Sequence, residues 1–262
     1  MKNNKTLFAG PFIGEFGMEL FTWQGYIRNI SREYDRTIIS SRKECEFLYK
    51  DFYDIFISFD PGSYNCDGYE CIDNENIPNL HEKFNPDKVY RSLNLNSYIN
   101  LFNNIDQKFV SYKSNEKKIK DIDICINARN FVKGAKTKLE RNWDIIECEK
   151  LVDFLLKNGL SVASVGLSCS SNYIKNTINL MDIDLYYLSN ILSYSKVIVG
   201  PSAGIMHFAS LCECPQVVWG SDHLEKRYKK EWNPFESKVE YLIKNNWDPK
   251  YTEIIESINK IL

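Results

Sequence analysis

The stretch from Lys196 to Gly220, KVIVGPSAGIMHFASLCECPQVVWG, constrains the fold of this chain more than any other. Its apolar runs and small residues predict a buried strand over Lys196–Gly200, a tight turn over Pro201–Gly204, a helix over Ile205–Cys212 and a second strand over Gln216–Trp219. Parallel strands need a crossover connection between them, and a helix usually provides it. The stretch therefore predicts part of a parallel α/β sheet.

The turn at Pro201–Gly204 carries almost no side-chain bulk. The first four N–H groups of a helix have no partner inside it, and the helix dipole favours negative charge at that end. A turn of this kind suits a bound anion such as a phosphate. The alternative is an ordinary packing turn, in which Gly204 only allows a close approach.

Length and composition narrow the class of protein. The chain has 262 residues, enough for one large domain or two smaller ones, and its 44% hydrophobic content can bury a substantial core. A net charge of −2 argues against sequence-independent binding to a nucleic-acid backbone. The first apolar run is too short for a signal peptide, and no run reaches the roughly 20 residues of a membrane span. We therefore expect a cytoplasmic protein, and leave peripheral association with a membrane open.

The cysteines and the acidic pairs give weak indications of a metal. The eight cysteines lack the paired CxxC spacing of a structural zinc site, and we expect free thiols in a reducing compartment. Cys212 and Cys214 form a lone CxC, and Cys66 and Cys71 form a loose pair in a loop. Two DxD sequences, at residues 121–123 and 182–184, are weak candidates for a metal–nucleotide site. We expect no metal and no cofactor.

Strand-like and helix-like segments alternate on both sides of a polar run, Ser111–Lys120, which we interpret as a linker. Before it the pattern predicts strands at Thr6–Phe12, Arg36–Ser41, Asp54–Phe59 and Val89–Leu93, helices at Gly17–Ser31 and near Lys43–Phe52, and a long loop over residues 60–80. After it the pattern predicts strands at Ile122–Ala128, Leu160–Gly166 and Lys238–Ile243, and helices beginning after Asp144 and spanning Tyr173–Leu180, Leu185–Tyr194 and Tyr251–Leu262.

This alternation predicts an α/β protein with two Rossmann-like, doubly wound parallel-sheet domains, residues 1–118 and 119–262. We leave open whether the terminal helix packs back on the first domain. Ligands of such sheets bind at the carboxyl ends of the strands. The turns Gly10–Gly17 and Gly200–His207 both follow strands, so we expect them to face one cleft between the domains.

A basic loop follows the strand predicted at Ile122–Ala128. Its positive residues are Arg129, Lys133, Lys136, Lys138 and Arg141. Opposite a helix N-terminus such a loop would clamp a di- or triphosphate, because each charge-assisted hydrogen bond contributes about 1.5–3 kcal/mol. The alternative is a solvated cationic loop with no ligand.

His207 is the candidate ligand-binding side chain of the helix after the turn. It lies within the first helical turn, where it would donate to a phosphate or to a sugar hydroxyl. The alternative is a structural histidine.

Glu15 is the candidate general base, since it lies between two glycines at the start of the first predicted helix. A positioned carboxylate contributes about 10²–10⁴-fold in rate. The alternative is that its charge stabilises the helix N-terminus by about 0.3–1 kcal/mol. Glu19, one turn further on, is the competing carboxylate. We assign Gly14, Gly17 and Trp23 to the side of the site that would hold an acceptor.

Three motifs of the second half carry a family resemblance. The strand and loop of Ile124–Arg129 precede Arg141, Asn142 and Trp143; residues 201–209 read Pro-Ser-Ala-Gly-Ile-Met-His-Phe-Ala; and C-x-C-P-Q-V-V-W-G follows. They resemble the C-terminal domain of GT-B glycosyltransferases, and most of all the ADP-heptose:lipopolysaccharide heptosyltransferase family. There the second motif is Asp-Thr-Gly-x-x-His-x-Ala, which aligns with Ser202, Ala203, Gly204, His207 and Ala209.

The resemblance implies a GT-B fold and a metal-independent, inverting transfer of a sugar from a nucleotide-diphosphate sugar to an acceptor hydroxyl. The donor's diphosphate would meet Ser202, Ala203, Gly204, His207, Arg129, Lys138 and Arg141. Glu15 would deprotonate the acceptor, which remains open among a glycan, a lipid-linked saccharide, a protein and a nucleic acid. Two alternatives remain: a nucleotide-sugar epimerase or hydrolase, and a non-catalytic nucleotide-sugar-binding protein.

Overall fold

The computed structural model describes residues 5–60, 77–91, 106–130 and 141–262. The chain forms two compact units, Met1–Phe109 and Val110–Leu262. The main sheet of each unit is parallel throughout the described residues. The predicted α/β class with two parallel sheets is confirmed.

The first unit is built on a four-stranded sheet in the order β3-β2-β1-β4. Its strands are β1 (Thr6–Ala9), β2 (Arg36–Ser41), β3 (Ile55–Ser58) and β4 (Lys88–Tyr90). After β1 come α1 (Phe16–Met18), a π-helical turn (Glu19–Trp23) and α2 (Gln24–Ser31). Short 3₁₀ helices span Lys43–Tyr49 and Glu82–Phe84. The strand order reverses between β1 and β4, as in a doubly wound sheet.

The chain leaves the first unit along α2. The backbone N–H of Lys108 donates to the carbonyl oxygen of Gly25 over 2.9 Å. A Cβ on Gly25 would lie only 2.9 Å from Cε1 of Phe109. The buried Arg28 donates to the carbonyl oxygen of Lys108 over 3.2 Å and pairs with Asp51 at 2.9 Å. Gly25 therefore allows a backbone contact that a side chain would block.

The second unit is built on a six-stranded sheet in the order β12-β11-β10-β5-β7-β9. Its strands are β5 (Ile124–Ile126), β7 (Val162–Gly166), β9 (Ile178–Met181), β10 (Val197–Pro201), β11 (Gln216–Gly220) and β12 (Val239–Ile243). A separate antiparallel pair joins β6 (Ala128–Arg129) and β8 (Ser171–Asn172). The helices are α3 (Ile145–Lys157), α4 (Leu185–Tyr194), α5 (Gly204–Leu211) and α6 (Tyr251–Ile261). The strand order reverses between β5 and β10, which places the switch point there.

Local sequence signals fix several of these elements. Asp144 accepts a hydrogen bond of 2.9 Å from the N–H of Ile146 and so caps α3, as predicted. The strand Arg36–Ser41 and the helix Leu185–Tyr194 are confirmed at both ends. The terminal helix α6 packs on α3, β11 and β12, which all belong to the second unit. None of the helices in the described ranges is long and apolar enough to cross a membrane.

The helix predicted over Tyr173–Leu180 is wrong. Residues Ile178–Met181 instead form β9, which pairs in parallel with residues 163–166 of β7. Asn176 has φ 68°, a left-handed conformation that interrupts helical geometry. The hydroxyl of Ser164 accepts the N–H of Ile174 over 3.0 Å, so the segment is held by the sheet.

Two further segments differ from expectation. The strand predicted over Ile122–Ala128 is split at Asn127, whose side chain donates to the carbonyl oxygen of Val165 over 3.0 Å. The predicted linker Ser111–Lys120 lies along α4, because the Asn190 amide accepts the N–H of Ile119 over 3.0 Å. Near Lys43–Phe52 the helix is 3₁₀, not α.

Candidate functional site

Residues at the carboxyl ends of parallel strands define the candidate site of the second unit. Asn127 follows β5, Gly166 ends β7, Ser202 follows β10 and Gly220 ends β11. Carboxyl ends of parallel strands lie at one edge of a sheet, and ligands bind there near the switch point. β5 and β10 flank that point, so the turn after β10 lies where a ligand is expected.

The turn after β10 has the predicted strand–turn–helix geometry. The N–H of Ser202 donates to the carbonyl oxygen of Trp219 over 2.9 Å. Ala203 is extended, with φ −153° and ψ 165°, and α5 begins at Gly204. The carbonyl oxygen of Ala203 accepts the N–H groups of Met206 and His207 over 3.1 and 3.3 Å. The helix therefore begins directly at the sheet edge.

Arg141 joins the predicted basic loop to this turn. Its guanidinium donates to the carbonyl oxygen of Ser202. The guanidinium carbon also lies 4.6 Å from the ring centroid of Trp247. Trp247 is 7% exposed, and its carbonyl oxygen accepts from the indole of Trp219 over 3.1 Å. Two predicted site residues, Arg141 and Ser202, are thus in direct contact.

Tyr228 ties the same turn to the helix. Its hydroxyl donates to Oγ of Ser202 over 2.9 Å and lies 3.2 Å from Nε2 of His207. The Tyr228 and His207 rings are stacked, with centroids 4.5 Å apart and an interplanar angle of 18°. Ser202, His207 and Tyr228 therefore form one buried group at the start of α5.

His207 is electrically neutral at physiological pH. It is 5% exposed, and the Trp232 ring lies edge-on at a centroid distance of 4.5 Å. Burial and the nearby guanidinium groups of Arg227 and Arg141 lower the pKa of His207 well below its ordinary value. The positive charge of this site therefore resides on the arginines.

The other members of the basic loop are only partly described. Nη1 of Arg129 donates to Oδ1 of Asn142 over 2.6 Å, which places Arg129 beside the residue preceding Trp143. The indole of Trp143 donates to the carbonyl oxygen of Pro249 over 3.1 Å. The remaining predicted contacts, Lys133, Lys136 and Lys138, lie outside the described residues.

Glu15 lies between β1 and α1 in the first unit. It is half-buried, and its carbonyl oxygen accepts the N–H groups of Met18 and Glu19, both over 3.0 Å. The acceptor-side candidates differ in exposure. Gly17 is half-buried and Gly14 is buried. Trp23 is 2% exposed, with its ring 5.5 Å from that of Phe12. Trp23 is therefore part of the hydrophobic core.

Glu19 is a buried structural carboxylate. It has no exposed surface, and its Oε1 accepts from the hydroxyl of Tyr49 over 2.6 Å and from that of Ser41. Nη1 of Arg42 lies 3.7 Å from Oε2. Burial, followed by the charge of Glu19, raises the pKa of Tyr49. These contacts distinguish Glu19 from the half-buried Glu15.

The acidic pairs have structural partners. Asp123 lies at the amino end of β5, where it accepts the N–H of Ser161 over 2.8 Å and pairs with Lys196 at 2.9 Å. Asp184 caps α4 by accepting the N–H of Tyr187 over 2.7 Å.

Metal-binding side chains are not clustered in the described part of the chain, where no three His, Cys, Asp or Glu residues could hold a metal ion. Cys212 and Cys214 are buried. Cys66 and Cys71 lie outside the described residues.

Sequence reasoning missed four residues of this site: Arg227, Tyr228, Trp232 and Trp247. Three of them lie in the segment KRYKKEW, which follows β11 and includes a π-helical turn, Arg227–Glu231. Such turns are frequent at functional sites. The available signal was a run of basic and aromatic residues a short distance after the strand that ends at Gly220.

No protein-family model and no curated protein matches the chain. Solved structures do. E. coli ADP-heptose lipopolysaccharide heptosyltransferase II aligns with a TM-score of 0.64 and 14% identity over 98% of both chains. The glycosyl transferase family 9 protein of Veillonella parvula aligns with a TM-score of 0.63 and 12% identity over 100% of this chain and 98% of that one. E. coli heptosyltransferase WaaC with ADP aligns with a TM-score of 0.53 and 8% identity over 98% of this chain and 100% of that one. The chain therefore has the GT-B fold of the heptosyltransferases, and the predicted resemblance is confirmed for the fold.

Proposed function

We propose that this protein is a glycosyltransferase that moves a sugar from a nucleotide-diphosphate sugar to an acceptor hydroxyl. The observation that carries the proposal is the position of Arg141. Its guanidinium is held between the carbonyl oxygen of Ser202 and the ring of Trp247, at the turn that opens α5. A fixed cation beside a helix N-terminus is suited to a diphosphate.

The second unit would bind the donor. The turn Ser202–Gly204 presents the start of α5, while Arg129 and Arg141 supply positive charge and His207 remains uncharged. Lys138 would add a further contact to the phosphates. A solved structure of the same fold, E. coli heptosyltransferase WaaC, contains ADP. That match supports a nucleoside diphosphate as the group bound here.

The first unit would bind the acceptor and provide the base. Glu15 would take the proton of the acceptor hydroxyl, whose oxygen then forms a bond to the anomeric carbon. The bond from that carbon to the diphosphate oxygen breaks at the same time, and its electron pair leaves with the diphosphate. Attack opposite the leaving group inverts the anomeric configuration. Gly14 and Gly17, beside Glu15, would form part of the acceptor side.

The charge of the departing diphosphate would be stabilised by the protein alone. Arg141, Arg129 and the first N–H groups of α5 would act on oxygens that become more negative in the transition state. On this proposal the transfer would need no metal ion. Transfer rates that are unchanged by EDTA would support it, and loss of activity that Mg²⁺ restores would contradict it.

The decisive experiment is a thermal-shift screen with nucleotide-diphosphate sugars. A ligand at 100 times its Kd stabilises the folded state by about 2.7 kcal/mol. Arg141→Ala should remove the shift given by the best donor. Lys157→Ala is the matched control, because Lys157 is exposed at the end of α3, away from the carboxyl edge.

The donor found in the screen then separates the alternatives. A glycosyltransferase releases nucleoside diphosphate only when an acceptor is present. Turnover without an acceptor indicates an epimerase or hydrolase, and binding without turnover indicates a non-catalytic binding protein. Absence of a shift with every donor tested contradicts the proposal.

A further inference from the structure

The guanidinium of Arg227, like that of Arg141, lies against an indole ring. Its guanidinium carbon lies 4.5 Å from the ring centroid of Trp232, as that of Arg141 lies 4.6 Å from the ring centroid of Trp247. Within the described ranges, neither arginine forms an ion pair with a carboxylate. Elsewhere in those ranges the buried Arg28 has Asp51 as its partner. Two arginines held by indole rings without a carboxylate suit an external anion.

The two arginines lie on different segments around one buried group. Arg141 contacts Ser202, the residue that follows β10. Arg227 begins the π-helical turn whose next residue, Tyr228, donates to Oγ of that same Ser202. Trp232, which supports Arg227, contacts the ring of His207. Both cations are close enough to His207 to lower its pKa.

We propose that Arg227 is a second diphosphate-binding residue, and that Arg141 and Arg227 together clamp the two phosphates of the bound nucleotide. The clamp rests on the proposed function in one respect only: the proposed function says that the whole bound molecule is a nucleotide sugar. The clamp's own ligand class is a pyrophosphate group, whose two phosphates offer one set of oxygens to each guanidinium. Two guanidinium groups, each with paired N–H donors, also match the paired oxygens of a diphosphate better than the ammonium groups of two lysines would.

The clamp acts on the reaction as well as on binding. When the bond between sugar and diphosphate breaks, the diphosphate gains one negative charge. A fixed cation therefore interacts more strongly with the leaving diphosphate than with the intact donor. Arg227 should consequently contribute more to affinity for the free nucleoside diphosphate than to affinity for the nucleotide sugar.

Calorimetric titration with inorganic pyrophosphate tests the clamp without assuming a base or a sugar. Arg227→Gln should weaken pyrophosphate binding about tenfold or more, as expected for one charge-assisted hydrogen bond, and should weaken orthophosphate binding much less. Lys230→Gln is the matched control: it removes one positive charge from the same turn, and Lys230 is exposed. Equal pyrophosphate affinities for Arg227→Gln and Lys230→Gln overturn the inference.

Arg227→Lys keeps the test decisive if Arg227→Gln fails to fold. It retains the charge and loses the paired N–H donors of the guanidinium, so its affinity for pyrophosphate should be lower than those of the wild type and of Lys230→Gln. An affinity equal to that of Lys230→Gln contradicts a forked contact. Wild-type protein that binds no pyrophosphate also overturns the clamp.

The two proposals fail in different experiments. Pyrophosphate binding that depends on Arg227, with no turnover of any nucleotide sugar, leaves the clamp standing and removes the transferase. Sugar transfer that is insensitive to Arg227→Gln leaves the transferase standing and removes the clamp.

Discussion

The hydroxyl of Tyr228 donates a hydrogen bond of 2.9 Å to Oγ of Ser202. The carbonyl oxygen of Ser202 accepts from the guanidinium of Arg141. One residue of the turn is therefore held through its side chain by the segment after β11, and through its backbone by the segment before α3. The position of the turn depends on both contacts.

Removing the Tyr228 hydroxyl should loosen the turn while the ring stays in place. Tyr228→Phe retains the stack on His207 but leaves Ser202 without this donor. We expect a loss of about 1–3 kcal/mol in the free energy of unfolding, because a buried polar group loses its partner. Urea unfolding measures the loss, and pyrophosphate titration should show weaker binding.

Tyr241→Phe is the matched control for that measurement. The hydroxyl of Tyr241 donates over 2.8 Å to the carbonyl oxygen of Ser221, which is not part of the turn. It should lower stability without the same loss of pyrophosphate affinity. Equal affinity losses in the two variants would mean that the Tyr228 contact has no specific role in the turn.

The neutral His207 predicts a pH dependence of stability. Its pKa in the folded protein lies well below the ordinary value of 6.5, so the unfolded chain binds a proton that the folded protein does not. The free energy of unfolding should therefore fall as the pH is lowered through 6.5, by about 1 kcal/mol between pH 7 and 5.5. Urea unfolding at several pH values gives the slope.

His207→Gln should flatten that slope, whatever it does to stability at pH 7. Carboxyl groups with lowered pKa, such as Glu147 and Glu253, titrate below this window, because their ordinary value is 4.5. A slope that is the same in wild type and His207→Gln would show that another group is responsible.

Variants of Glu15 and Glu19 should distinguish a catalytic carboxylate from a structural one. Glu15→Gln should lower kcat by about 10²–10⁴-fold, as for loss of a general base, and leave the free energy of unfolding within about 0.5 kcal/mol of wild type. Glu19→Gln should instead lower that free energy by about 1–3 kcal/mol, because Tyr49 and Ser41 lose a charged acceptor. Transfer assays and urea unfolding on both variants test the assignment. Near wild-type transfer by Glu15→Gln would remove Glu15 as the base.

The sequence predicted the parts of the site that depend on local patterns. The strand, turn and helix around Ser202–Gly204 follow from buried runs and small residues, and Asp144 caps α3 as its position indicates. Arg141 was placed near the turn because both follow strands of one parallel sheet. These inferences needed only neighbouring residues and one rule of topology.

The sequence could not supply the contacts made by distant segments. Trp247 supports Arg141 across more than 100 residues. Tyr228, in a π-helical turn, and Trp232, the residue after that turn, pack on His207, and their spacing follows no periodic pattern. The mistaken helix at Tyr173–Leu180 has the same cause, since pairing with β7 outweighs the local propensity. Trp23, which we assigned to the acceptor side, packs in the core against the ring of Phe12.

Gly220 should be required for the position of Arg141, although it does not contact it. A Cβ on Gly220 would lie 2.8 Å from the hydroxyl oxygen of Tyr241 and 2.9 Å from Cη2 of Trp247. Gly220→Ala should displace Trp247, lower the free energy of unfolding by about 1–3 kcal/mol, and weaken pyrophosphate binding because Arg141 loses its supporting ring.

Gly159→Ala provides the control. Its Cβ would meet nothing within 4 Å, but its φ of +76° makes alanine unfavourable by about 1–2 kcal/mol. Gly159→Ala should therefore lose stability and keep its affinity for pyrophosphate. If Gly220→Ala also keeps that affinity, Trp247 does not position Arg141 for the ligand.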